Sequence, residues 1–117
     1  MRLLVTGGRD YSDEATVTRV LNEIMPAVLI VGDARGADAL AREWATATNI
    51  ERGEPVLLHV FDADWDRYGK RAGPIRNQRM LDQGRPDLVL AFPGGRGTED
   101  MCRRAKAAGV PVLRVDE

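Results

Sequence analysis

Cysteine is all but absent from this chain of 117 residues. Cys102 stands alone, which excludes an internal disulfide and a cysteine-based metal cluster. Long apolar runs are missing as well: nothing approaches the roughly 18 residues that span a bilayer. The opening MRLLVTGGRD breaks into glycine too early for a signal peptide. Export is therefore not expected, and the cytoplasm is the default compartment. Neither charge is in surplus, with 17 basic against 18 acidic side chains. Binders of polymeric nucleic acid neutralise backbone phosphates and carry a basic excess or stripe. The mildly basic stretch from Arg67 to Arg85 is diluted by Asp66 and Asp82, so polymeric nucleic acid is disfavoured as a partner. The P-loop pattern GxxxxGK[ST] does not occur, and the first glycine loop lacks GxGxxG; these absences argue against a P-loop NTPase and an ordinary dinucleotide site.

What is present is a globular balance, 44% hydrophobic and 30% charged, in a length suited to one domain with its own core. Short apolar runs lie at Leu3 to Val5, Val28 to Val31, Val56 to Phe61, Leu88 to Phe92 and Val110 to Val115. Each is largely branched or aliphatic and ends in glycine, proline or charge, the pattern of strands buried on both faces of a parallel sheet. Between them, residues 13–25, 37–49 and 98–108 carry apolar side chains at helical spacing, such as Val17, Val20, Leu21 and Ile24. A turn of helix near Trp65, a loop, and a helix from Pro74 to Leu81 complete the series, with proline placed in the first helical turn. Residues 51–55 read as a surface loop. The order predicts a single Rossmann-like α/β domain: an open parallel sheet of about five strands, helices on both faces, right-handed crossovers.

Loops that follow parallel strands emerge at one edge of the sheet, where ligands of such folds bind. Three of these loops share ingredients: Thr6-Gly7-Gly8-Arg9-Asp10, Gly32-Asp33-Ala34-Arg35-Gly36-Ala37-Asp38 and Pro93-Gly94-Gly95-Arg96-Gly97-Thr98. Glycine lets a backbone approach a ligand closely. The helix that follows each loop offers unpaired N–H groups and a favourable dipole to an anion. Arginine adds donors shaped for phosphate or carboxylate oxygens. Three such arginines would repel one another unless an anion, or the nearby Asp10, Asp33 and Asp38, answered them. A glycine after a strand also serves as a plain tight turn, and it is the joint occurrence that points to a phosphate or carboxylate site.

The passages LLVTGGRDYSD (3–13), VGDARGADALAREWA (31–45), DWDRYGKRAGPIRNQRML (64–81) and DLVLAFPGGRGTEDM (87–101) cover nearly the whole chain. Together they resemble the SLOG superfamily, which groups DprA/Smf proteins with the Lonely Guy phosphoribohydrolases, and within it the YspA-type, cpYpsA-related proteins. The resemblance implies a nucleotide-binding fold and a ligand among nucleotides or ribosyl derivatives, with no settled activity. Lonely Guy enzymes cleave the N-glycosidic bond of nucleoside 5′-monophosphates, using a PGGxGTxxE motif and an upstream arginine in a stretch like RKxxM. Arg76-Asn77-Gln78-Arg79-Met80 fits that stretch and Pro93 to Thr98 fits PGGxGT, but the motif's glutamate falls on Met101. An oxocarbenium-like transition state needs a carboxylate, which a thioether cannot replace. Glu99 and Asp100 substitute only if the helix start shifts, because one residue turns a side chain by about 100°. Asp33 is a second departure, an acid where glycine is expected, and it suits a ribose hydroxyl. The relatives pair through helices, which implies a homodimer by the apolar faces of 37–49 and 74–83.

The expected ligand is a nucleotide-like small molecule, its phosphate on the 94–98 loop with Arg35 or Arg76, held as by a sensor or binding module. The wider contact set is Gly7, Gly8, Arg9, Gly32, Arg35, Gly36, Asp38, Arg76, Gly94, Gly95, Arg96, Gly97 and Thr98. The alternatives are a Lonely Guy-like phosphoribohydrolase, with Arg76, Glu99 and Asp100 as catalytic candidates, and a DprA-like single-stranded DNA module. No cofactor is expected, and Asp62, Asp64 and Asp66 lack the partner set of a metal site. His59 reads as a packing or sheet-end residue and Cys102 as a small buried thiol. Trp65 and Tyr68 either stack on a base or close the core, and Asp10 and Asp38 are candidate helix caps.

Overall fold

A computed structural model describes residues 1–53 and 55–116. The apolar runs form five parallel strands: β1 (Arg2–Thr6), β2 (Val28–Gly32), β3 (Leu57–Phe61), β4 (Leu88–Ala91) and β5 (Val112–Arg114). Their order is β3-β2-β1-β4-β5, an open α/β sheet of Rossmann-like type. β1 is central, with Leu3 in register with Leu29 on one side and Leu88 on the other. Because successive side chains in a strand point to opposite faces, Leu3 and Val5 join Val17, Leu21, Ala41 and Trp44 in one core layer. Leu4 joins Met80, Val89, Met101 and Ala105 in the other. Each fully buried side chain of this kind stabilises the fold by about 1.5–3 kcal/mol.

The helices are α1 (Glu14–Ile24), α2 (Ala37–Arg52), the single turn α3 (Trp65–Tyr68), α4 (Ala72–Gly84) and α5 (Arg96–Ala107). α1 and α2 cover one face of the sheet, α4 and α5 the other. Among the described residues, no helix is long and apolar enough to cross a membrane.

Several expectations are corrected. β3 and β5 are not buried on both faces: the strand order leaves them at the edges, where Leu57, Val60 and Leu113 are exposed. His59 is exposed on the β3 edge and does not pack in the core. α2 runs on to Arg52 in place of the expected loop at 51–55, and Gly53 closes it at φ 68° in the left-handed conformation typical of helix ends. Glu54, from that same stretch, lies outside the described residues. α1 is capped by Asp13, which accepts from the Thr16 N–H at 3.1 Å and its hydroxyl at 2.7 Å, not by Asp10. Asp38 is also not a cap: it lies in the first turn of α2, whose N-cap is Gly36.

Candidate functional site

The strand order reverses between β1 and β4, and the crevice at the carboxyl ends of such strands is where open α/β sheets take ligands. Gly8 ties the three glycine loops together there. Its N–H donates to the Pro93 carbonyl at 2.9 Å, and its carbonyl accepts from the Ala37 N–H at 3.1 Å. Two flanking glycines exist for this closeness. Gly36 has φ +75°, and a Cβ on it would strike the Gly8 carbonyl oxygen; a Cβ on Gly94 would come within 2.6 Å of the Gly8 nitrogen. Gly7, Gly8 and Gly32 are likewise crowded by the protein's own atoms. Gly95 and Gly97 are not: a Cβ on either meets nothing within 4 Å.

A groove of about 1360 Å³ opens over this junction. Gly7, Gly8, Arg9, Asp38, Arg76 and the whole 94–98 segment line it, while Gly32, Arg35 and Gly36 do not. Arg35 borders a neighbouring cavity of about 200 Å³ and pairs with Asp10 at 3.2 Å, both side chains largely in solvent. Arg76 is nearly buried and reaches Asp33 at 3.1 Å. Both arginines first expected to hold a phosphate are thus already answered by carboxylates. Among the described residues, Arg9, Lys70 and Arg96 line the groove without a carboxylate partner. Arg9 lies over the Trp65 ring at 5.2 Å, an arrangement that stabilises by roughly 0.5–1 kcal/mol at exposed sites. No side chain caps α5, so its first N–H groups face the groove mouth beside Arg96.

The carboxylates of α5 have other work. Asp100 is buried and accepts from Asn77 Nδ2 at 3.0 Å, Arg103 at 2.6 Å and Arg104 at 2.9 Å. Glu99 is held by both guanidinium nitrogens of Arg114, at 2.9 and 3.0 Å, which keeps its carboxyl below the usual range. Met101 is fully buried against Leu4, Met80 and Val89. Its position faces the core and not the groove, so Met101→Glu would bury a charge instead of completing a catalytic set. Asp38 is the one strongly perturbed acid of the groove. Burial pushes it up to about 6, against the pull of Arg76, the Ala34 N–H and Arg42.

Trp65 and Tyr68 do not close the core; they are 44% and 37% exposed, and Trp65 lines the groove. Cys102 is buried, as expected of a small thiol. Asn77 was not singled out from sequence. It is 5% exposed and donates to the Gly97 carbonyl at 3.2 Å as well as to Asp100, fixing the start of α5 from α4. Its place beside Arg76 in RNQRM was the available signal.

Fold and groove together define a Rossmann-like α/β protein with a cation-lined crevice at the switch point of its sheet. A model of the YspA, cpYpsA-related SLOG family matches residues 1–68. The chain is 42% identical over 119 residues to the Gene 61 protein of Mycobacterium phage D29, covering 96% of this chain and 94% of that one. The chain belongs to the YspA, cpYpsA-related SLOG family.

Proposed function

We propose that this protein is a nucleotide-binding or nucleotide-sensing module that holds the phosphate of a nucleotide or ribosyl phosphate on the loop of residues 94–98. The open N-terminus of α5 carries this reading: N–H groups without a side-chain cap, a helix dipole, and Arg96, Arg9 and Lys70, none with a carboxylate partner among the described residues, converge on one groove. Gly95 and Gly97 supply backbone that a ligand can approach, with open space where a side chain would stand. Glycosidic hydrolysis of the Lonely Guy kind is less well supported, because Met101 is in the core and Glu99 and Asp100 are tied to arginines. From the family resemblance we extend the reading to a homodimer. The apolar faces of α2 and α4 are occupied by the core, which leaves the outer face of α2, with Ala39, Ala47 and Ile50, for pairing. A monomer by light scattering at micromolar concentration would remove that part.

The test of the site is thermal shift with nucleoside 5′-monophosphates and inorganic phosphate, since a ligand of the folded state raises its melting temperature by mass action. Gly95→Leu is expected to abolish the rise while the free protein still unfolds cooperatively. Unchanged affinity in that variant overturns the assignment of the loop. Release of free base by the wild type replaces the binding module with an enzyme.

A further inference from the structure

Asp38 is 6% exposed, in the first turn of α2, and lines the groove. Its Oδ2 accepts from the Ala34 N–H at 3.3 Å. The same oxygen and the Arg76 guanidinium both lie within 2.6 Å of where a Cβ on Gly32 would stand. Its Oδ1 accepts no hydrogen bond from any described residue and is not a fully buried atom, so it keeps some solvent contact on the groove that Asp38 lines. Taking a carboxylate largely out of water is costly, and here desolvation outweighs the neighbouring positive charges, so the acid is held well above its ordinary range. Its one hydrogen bond within the described fold is the long one from the Ala34 N–H. The first N–H of α2 is already bonded to the Gly8 carbonyl, and the Gly36 turn is set by glycine.

A carboxylate in this position repels phosphate and calls for a hydrogen-bond donor. Asp38 follows the residue that bonds the Gly8 carbonyl, and the phosphate loop follows the residue that bonds the Gly8 N–H. The two therefore flank one glycine, a short span from the anion end of the groove. On the same groove Trp65 offers an exposed ring.

Building on the phosphate assignment above, we propose that Asp38 reads the sugar of the ligand, accepting a hydrogen bond from a ribose hydroxyl while the phosphate lies on residues 94–98 and the base lies toward Trp65. The ligand class is then a ribonucleotide or ribosyl 5-phosphate, and a deoxy sugar or a sugar bearing a second phosphate is discriminated against. A hydroxyl bonded to a charged acceptor is worth tenfold or more in affinity, on the order of the usual charge-assisted bond.

The experiment is calorimetric titration of the wild type, Asp38→Ala and Asp38→Asn with four probes: inorganic phosphate, ribose 5-phosphate, and its 2-deoxy and 3-deoxy forms. The expected result is that wild type binds ribose 5-phosphate about tenfold tighter than at least one deoxy form. Both variants lose that preference and bind inorganic phosphate no more weakly than wild type does. Equal affinity of wild type for all three sugars overturns the proposal and leaves the phosphate site standing. Parallel loss of inorganic phosphate and ribose 5-phosphate in both variants also overturns it, because Asp38 would then be shaping the groove as a whole. If no probe binds wild type, the phosphate assignment falls and this proposal with it.

Discussion

The loops after β2 and β4 both set glycine and arginine before a helix, and they differ in how far the protein satisfies them. In the first, the arginine and most of the polar groups described above are answered from within the protein. Arg35 meets Asp10, Asp33 meets Arg76, the Ala34 N–H meets Asp38, the Ala37 N–H meets Gly8, and the Gly32 and Ala34 carbonyls both accept from Arg42. In the second, Arg96 has no carboxylate partner among the described residues, no side chain caps the helix, and Gly95 and Gly97 border open space. A glycine-arginine loop before a helix is therefore only an ingredient list. Whether it braces the fold or receives a ligand depends on how many of its groups the protein itself satisfies.

Substitution can break that contrast most sharply at the glycines. Gly36→Val places a β-branched side chain at φ +75° against the Gly8 backbone, and we expect a loss of roughly 3 kcal/mol or more. Chemical denaturation would register this as a large drop in midpoint. Gly95→Leu, whose Cβ is unobstructed, should lower stability by only about 1 kcal/mol, the ordinary cost of a poor helix cap. Comparable losses in the two variants would erase the distinction between brace and receptor. The arginines give the next largest effect. Arg96→Ala should weaken inorganic phosphate by about one to two decades if its bond is charge-assisted, as titration calorimetry would read. Arg35→Ala should leave both affinity and stability nearly unchanged, within about 0.5 kcal/mol for an exposed pair.

A modest effect is expected at Asp38, which faces Arg76 from α4, Arg42 from its own helix, and Asp33 and the Ala34 N–H from the preceding loop. Its folded value of about 6 lies above the ordinary 3.8. The native state thus binds the proton more tightly than the unfolded chain, and stability from this group is full below the lower value and lost as pH rises through the upper one. Asp38→Asn should melt roughly 4 °C higher than wild type near neutral pH, with the gap closing by about pH 4. A variant that melts lower at every pH would mean that Asp38 is a supporting contact for Arg76, with no cost left for a ligand to offset.

Much of the fold could be read from the sequence because its signals are local. The branched runs of β1, β2 and β4, the stripe of Val17, Val20 and Leu21, and the three glycine loops all announce themselves within a few residues. What escaped is what depends on distant partners. The edge positions of β3 and β5 follow from strand order, which no run of residues encodes, so of the two readings of His59, packing or sheet-end residue, the packing one fails. The ion pairs Arg35–Asp10 and Arg76–Asp33 join residues 25 and 43 positions apart, so sequence offered Asp10 and Asp33 as answers to the arginines but could not choose between them and a ligand anion. Asp10 was the cap candidate near α1, and Asp13, which was not singled out, takes that role because α1 begins at Glu14; the inward turn of Met101 follows from α5 beginning at Arg96.

The bond from Gly8 to Pro93 also has a consequence for the order of folding. β1, α1, β2 and α2 are neighbours in sequence and can condense early, at small entropic cost. The groove cannot, because its two walls leave β1 and β4 and meet only when nearly the whole chain has closed upon itself. On the proposed reading, ligand occupancy would therefore require that both halves of the chain have docked. A fragment ending after α3, the stretch that the family model matches, would keep two of the three loops and lack the 94–98 wall of the groove.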